Sequence, residues 1–148
     1  MNNIAIACTL AINLPEKPLS FKITLNDTDI YDISTTETTY DVAFDVIDGN
    51  KADHSIKFIL SDKTDNHTEM DANGGVTNSA QVEIKHISIG GIDITDLLMN
   101  DNTLITYTHD SNGYGKKVTV PFDGVVGYNG VAELKISSPV YLWFLEHM

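Results

Sequence analysis

Residues 40–46 read YDVAFDV, with an apolar side chain at every second position. Successive side chains of an extended chain point to opposite faces, so this spacing predicts a strand with one face in a core and one in water. The same period of two recurs in residues 4–12, 21–25, 56–60, 118–122 and 132–136. The chain is therefore predicted to consist mainly of short half-buried strands.

Turn signals separate these segments. Gly, Asn and Asp favour tight turns because they accept positive φ angles or cap the backbone of the turn. Such residues occur at 48–50, 73–75, 90–91, 112–113 and 129–130. About nine strands at this spacing predict an all-β fold, an antiparallel two-sheet β-sandwich of jelly-roll-like form. The apolar parity switches after Ile84, which predicts a β-bulge near Lys85 and His86.

Length and charge limit the function classes. The chain has 148 residues, which predicts a single domain spanning 1–148, since domains most often hold roughly 100 to 150 residues. Its formal net charge of -12 repels phosphate backbones and anionic headgroups, so we expect neither nucleic acid nor a membrane as a partner. No Lys or Arg precedes the apolar residues 4–12, and no run approaches the roughly 18 residues of a membrane span. We therefore expect no signal peptide and no transmembrane segment.

Catalytic motifs do not stand out in this sequence. The serines lack the Gly-x-Ser-x-Gly elbow, and the five histidines lack the spacing that places two ligands on one helix face. His109 precedes Asp110 beside a turn, where capping accounts for both residues. Cys8 lies in an alternating apolar stretch, where a small buried thiol is the expected role. The sequence predicts a protein that is not an enzyme.

A polar segment at residues 61–79 is longer than the usual connection of roughly 4 to 6 residues. Asp62, Asp65, Asp71 and Asn73 gather there, and calcium prefers such oxygen ligands. Their spacing does not follow the EF-hand pattern. The segment has two interpretations, a calcium site at these four residues or an acidic loop that uses the same residue types for turns.

Three tyrosines are candidates for stacking on sugar rings. These are Tyr107, Tyr114 and Tyr128, each with Asn or Asp nearby to bind hydroxyl groups. Aromatic side chains in strands also serve as core or inter-subunit packing. Both interpretations, a glycan-binding surface and packing, remain open at this point.

The chain closes with an apolar segment, PVYLWFL at residues 139–145. Pro at the first turn favours a short helix over residues 139–148. A helix that is apolar on every side must be covered by its own domain or by another subunit. We expect a shared burial, with an assembly interface formed by Tyr141, Trp143, Phe144 and Leu145.

Two parts of the sequence resemble proteins of a known kind. The first comprises HSIKFILSDKTDNHT at 54–68, VEIKHI at 82–87 and GID at 91–93. It resembles small β-sandwich domains in virion proteins of tailed bacteriophages, which look like jelly-roll carbohydrate-binding modules. The second comprises YTHDSNG at 107–113, FDGVVGYNG at 122–130 and PVYLWFLE at 139–146. It is similar to the ends of short structural proteins in marine phages.

The resemblance implies a non-enzymatic virion accessory protein, as a capsid decoration, a fibre or a tail-associated protein. Its expected partners are other virion proteins and further copies of itself, and its expected location is the virion, assembled in the host cytoplasm. The alternative that the resemblance implies is a carbohydrate-binding module, with or without calcium, that attaches to a host polysaccharide. No cofactor other than calcium is expected.

Overall fold

A computed structural model describes residues 2–48, 53–96, 104–109, 117–138 and 140–147. Within these ranges the chain forms short strands and one C-terminal helix. The strands are β1 (Asn2–Ile12), β2 (Ser20–Leu25), β3 (Thr28–Ser34), β4 (Thr39–Asp48), β5 (Asp53–Leu60), β6 (Thr68–Met70), β7 (Val76–Ser79), β8 (Val82–Ile89), β9 (Ile92–Asp93), β10 (Ile105–His109), β11 (Val118–Pro121), β12 (Val125–Val126) and β13 (Gly130–Ser137), and the helix is α1 (Val140–His147).

Two antiparallel sheets pack against each other, which confirms the predicted β-sandwich. Sheet I has the strand order β12-β8-β1-β4, and β9 also pairs with β8. Sheet II has the order β11-β10-β13-β5-β2-β3, and β6 and β7 form a separate hairpin. More strands form than the nine predicted, because pieces such as β9 and β12 are two residues long and too short to show an alternating pattern.

The core lies between the sheets and is filled by alternate side chains of their strands. Leu10 in β1 and Leu134 in β13 are fully buried there. The rings of Phe21 and Phe58 stack at 6.5 Å across the paired strands β2 and β5. Cys8 lies in this core, as predicted, and burial raises the pKa of its thiol to about 12. The thiol is therefore inert at neutral pH.

β8 contains the predicted bulge. Its pairing with β1 shifts register between Ala7 and Thr9, and His86 has a φ of 55°, in the left-handed region. The extra residue restores the inward direction of the strand after the bulge, so both Ile84 and Ile87 are buried. The switch in apolar parity after Ile84 therefore correctly predicted the β-bulge.

Tyr31 joins the edge strands on one side of the sandwich. It belongs to β3, at the edge of sheet II, and its hydroxyl donates to the carbonyl oxygen of Ala43 at 2.8 Å. The same hydroxyl accepts from the N–H of Ala43 at 3.2 Å, and Ala43 belongs to β4, at the edge of sheet I. The backbone groups of Ala43 are thus paired by a side chain from the facing sheet.

The segment at residues 61–79 differs from the predicted loop. It contains a 3-10 turn at Asp65–His67 followed by the hairpin of β6 and β7. The ring Nε2 of His67 lies 2.9 Å from the carbonyl oxygen of Pro18, and Lys17 Nζ donates to the carbonyl oxygen of Asn66 at 3.0 Å. These strands are short and polar, so no alternation marks them in the sequence.

The helix α1 is present as predicted, although Pro139 and Met148 lie outside the described residues. Val140 and Trp143 are buried, with Trp143 only 3% exposed, and α1 contacts β13. The ring of Phe144 meets that of Trp143 edge-on at 5.5 Å. Trp143 therefore anchors the helix to its own domain.

Candidate functional site

A pocket lies where the edges of the two sheets meet, opposite the side that Tyr31 joins. β10 and β11 of sheet II and β12 of sheet I contribute to its walls, and its volume is about 300 Å³. Small-molecule sites commonly span roughly 300–1,000 Å³, so the volume suits a small ligand. We call it the edge pocket, and its polar lining consists of Lys63, Ser79, Gln81, His109, Asp123 and Tyr128.

Aromatic rings form one wall of the edge pocket. The ring of His109 stacks on that of Tyr128 at 4.8 Å with an interplanar angle of 14°, and the ring of Tyr107 lies 4.7 Å from that of His109. The Tyr107 hydroxyl donates to the carbonyl oxygen of Tyr128 and accepts from its N–H. This exchange holds the backbone at residue 128 against β10.

The three tyrosines predicted to bind glycans have different positions. Tyr107 is buried and its ring packs edge-on against Phe122 at 5.8 Å, which is a packing role. Tyr128 is 42% exposed and lines the pocket, so its ring is accessible to a ligand. Tyr114 lies outside the described residues.

His109 is 8% exposed and lines the edge pocket. Its Nδ1 is buried, and no described residue forms a hydrogen bond with it. Buried polar atoms are nearly always paired, and an unpaired one costs free energy comparable to a lost hydrogen bond. The ring of His109 packs against Tyr107 and Tyr128. Asp110 and the turn that follows lie outside the described residues, so the capping role stays a prediction.

Lys63 is held in place by both its backbone and its side chain. Its N–H donates to Asn129 Oδ1 at 2.8 Å, and its carbonyl oxygen accepts from Asn129 Nδ2 at 2.9 Å. The ammonium donates to Ser79 Oγ and to the carbonyl oxygen of Gly127, both at 2.6 Å. The Nζ atom also lies 6.0 Å from the centroid of the Tyr128 ring.

The charge on Lys63 is poorly compensated. Partial burial lowers the pKa of the amine, because desolvation disfavours the charged form. No carboxylate of the described residues approaches its Nζ within 4.0 Å. Two of its three N–H donors have partners, which leaves one donor for a ligand.

Asp123 and Gly130 complete the surroundings of the edge pocket. Asp123 Oδ1 accepts from the N–H of Val125 at 3.1 Å, which fixes the start of β12. Gly130 pairs with His109, and a Cβ atom at residue 130 would clash with the carbonyl oxygen of Thr108 and lie 2.7 Å from the Cα of His109. This glycine allows β13 and β10 to approach closely at the pocket.

Two of the four residues predicted to bind calcium, Asp62 and Asp71, bind backbone groups with their side chains. Asp62 Oδ1 accepts from the N–H of Ser20 at 2.8 Å. Asp71 Oδ1 accepts from the N–H groups of Asn73 and Gly75, at 2.9 and 2.8 Å, as in an Asx turn. The side chain of Asp65 is outside what the structure describes. No group of three or more His, Cys, Asp or Glu suited to a metal occurs among the described residues, and the calcium site stays a prediction.

The predicted assembly residues divide between core and surface. Trp143 is buried and Phe144 is half-buried, whereas Tyr141 is 64% and Leu145 is 67% exposed. Leu142, which was not among the predicted residues, is also exposed. We call Tyr141, Leu142 and Leu145 the helix patch. Their spacing of one, three and four residues places them on one side of α1.

Sequence reasoning found Tyr128 and most of the helix patch but missed Lys63. The one local signal at Lys63 is a basic residue among the acidic and polar residues of 61–79. Its role depends on Ser79, Gly127 and Asn129, which are distant in the sequence.

Comparison of the chain with known protein families, with curated proteins and with solved structures finds no match. Within the described ranges, no helix has both the length and the apolar character to cross a membrane. The function therefore has to be argued from the edge pocket and the helix patch.

Proposed function

We propose that this protein is a non-enzymatic assembly protein that associates with further copies of itself through the helix patch. The observation that carries the proposal is the exposure of Tyr141, Leu142 and Leu145 on a helix whose opposite side is anchored by Trp143. Large apolar side chains grouped on one element are typical of protein interfaces.

The anchoring of α1 favours association. Val140 and Trp143 are buried, so the helix is held before a partner arrives. A preorganised surface loses little conformational entropy on binding. Full burial of a leucine side chain contributes roughly 1.5–3 kcal/mol. In a two-fold contact the helix patch of both copies would be buried, so each side chain would contribute once from each copy.

The charge distribution agrees with a second copy as the partner. The helix patch contains no charged side chain, although the chain carries a net charge of -12. Repulsion between copies acts over about 10 Å at 0.1 M salt, and apolar contact acts at short range. Association is then limited to orientations in which the uncharged patches meet.

The sequence resemblance supports a more specific setting. Residues 54–68 resemble small β-sandwich domains in virion proteins of tailed bacteriophages, and residues 122–130 are similar to the ends of short structural proteins in marine phages. A virion accessory protein is an assembly protein. Under this proposal the chain decorates a capsid, or belongs to a fibre or tail, after assembly in the host cytoplasm, and other virion proteins bind it there.

Light scattering of the purified protein tests self-association. The variant L145D should dissociate at least about tenfold more readily, because a carboxylate would be buried in each half of the contact. M70D is the matched control: Met70 is exposed on β6, and the substitution changes the charge equally. A monomeric wild-type chain, or equal dissociation of the two variants, would contradict the proposal.

A second candidate is a carbohydrate-binding module, and the exposed ring of Tyr128 in the edge pocket favours it. Aromatic faces suit the apolar side of a sugar ring, and Gln81 and Asp123 line the same pocket with groups that bind hydroxyls. Calorimetric titration with a panel of neutral and acidic oligosaccharides, with and without calcium, tests this function. Absence of heat with every sugar would remove it.

A further inference from the structure

We infer that the edge pocket binds a small ligand bearing one carboxylate, with Lys63 as its anion-recognition residue. The inference concerns the pocket of the second candidate function and does not depend on the helix patch. It starts from the ammonium of Lys63, which lines a pocket of about 300 Å³ and has no carboxylate of the described residues within 4.0 Å.

Lys63 supplies a positive charge without a counterion. Its ammonium is held by Ser79 Oγ and the carbonyl oxygen of Gly127, both neutral acceptors. Among the described residues, none accepts a hydrogen bond from the third N–H of the Lys63 ammonium, and no carboxylate neutralises its positive charge. A carboxylate in the pocket would provide the missing counter-charge through a charge-assisted hydrogen bond.

His109 contributes its ring to the wall beside Lys63. Its Nδ1 is buried and has no partner among the described residues, so the ring, and not this nitrogen, faces the ligand. The ring of Tyr128 stacks on that of His109, and its centroid lies 6.0 Å from Lys63 Nζ, so the ammonium lies beside an aromatic ring that is partly exposed.

The charges around the pocket favour a single carboxylate over a dianionic phosphate. Lys63 is the one lysine among the described residues of the lining, and Asp123 lines the same pocket. A dianion would meet one cation and a neighbouring carboxylate, within a chain of net charge -12. Gln81 and the Tyr128 ring then offer a hydrogen bond and an apolar face to the rest of the ligand.

Nuclear magnetic resonance titration tests the inference on the intact protein with three probes: glucuronate, glucose and inorganic phosphate. Glucuronate should shift the ring signals of His109 and raise the pKa of the Lys63 amine, which the anion would stabilise in its charged form. Glucose, which has the same ring without the carboxylate, and phosphate should bind at least about tenfold more weakly.

Matched lysine variants separate the pocket from general charge effects. K63M should weaken glucuronate binding about tenfold or more, since a charged hydrogen bond is lost. K22M removes the same charge from β2, which is separated from β10 by β13 and β5 in sheet II, and should leave binding unchanged. If K63M unfolds, the response of the Lys63 pKa in the wild-type protein decides the question.

Three results would overturn the inference. Equal binding of glucose and glucuronate would leave a neutral-sugar site and remove the carboxylate requirement. Equal binding of phosphate would show an unselective anion site. No response to any probe would remove the edge pocket as a ligand site, together with its use in the second candidate function.

Discussion

The residues of the edge pocket are distant in the sequence, so no local sequence pattern predicts that they lie together. Lys63 follows β5, whereas His109 ends β10, and they approach because β13 pairs with both of these strands. Tyr107 and Tyr128 could be chosen from the sequence as aromatic candidates. Which of the two is accessible depends on the assembled sheets, so the burial of Tyr107 could not be predicted.

The glycine at residue 130 gives a residue-scale prediction. G130A should lower the free energy of unfolding by about 1–3 kcal/mol, as overpacking does, because the added Cβ clashes with the backbone of Thr108 and His109. G127A is the control, since its Cβ would meet nothing closer than Gln81 Oε1 at 3.9 Å. Urea denaturation of both variants measures the difference, and equal stability would refute the clash.

Among the elements, those with a clear period were the predictable ones. β1, β4 and β5 have eight residues or more, which is long enough to show alternating apolar side chains. The bulge in β8 is visible in the sequence as a change in the parity of the apolar positions. The hairpin of β6 and β7 was missed because it has three and four residues with mostly polar side chains. The helix α1 was predictable, but its buried side was not, because every position from 140 to 145 is apolar.

The two sides of α1 should respond differently to truncation. W143A should destabilise the protein by about 3–5 kcal/mol, the usual range for a large core aromatic, because Trp143 is buried. Y141A should change the stability of the monomer by less than about 0.5 kcal/mol, as exposed substitutions do. Thermal or urea denaturation at a concentration below association measures both. Similar losses in both variants would contradict the assigned orientation of the helix.

For the whole molecule, composition and turn spacing were enough to predict a sandwich but not its strand order. Alternation shows that a strand has a buried face, and it carries no information on which strand lies beside it. The pairing of β13 between β10 and β5 joins segments far apart in the chain. The position of the edge pocket follows from that order, so it could not be predicted either.

The charge of the whole molecule gives a prediction for self-association. Raising sodium chloride from 0.1 M toward 1 M shortens the screening length from about 10 to about 3 Å, which weakens repulsion between copies of net charge -12. Light scattering should therefore show tighter association at higher salt. L145D should remain dissociated throughout the series. Association that weakens with salt would instead indicate attraction to an oppositely charged surface.

The contact of Tyr31 with Ala43 changes what the edge of sheet I offers to a strand of another chain. An exposed edge strand offers a row of unpaired backbone groups that can template the addition of another chain. Near the middle of β4, the hydroxyl of Tyr31 forms hydrogen bonds with both the N–H and the carbonyl oxygen of Ala43. A strand of another chain would have to displace the Tyr31 hydroxyl before it could form continuous backbone hydrogen bonds along β4. A single ring thus hinders strand addition at this edge while leaving the helix patch available to a partner.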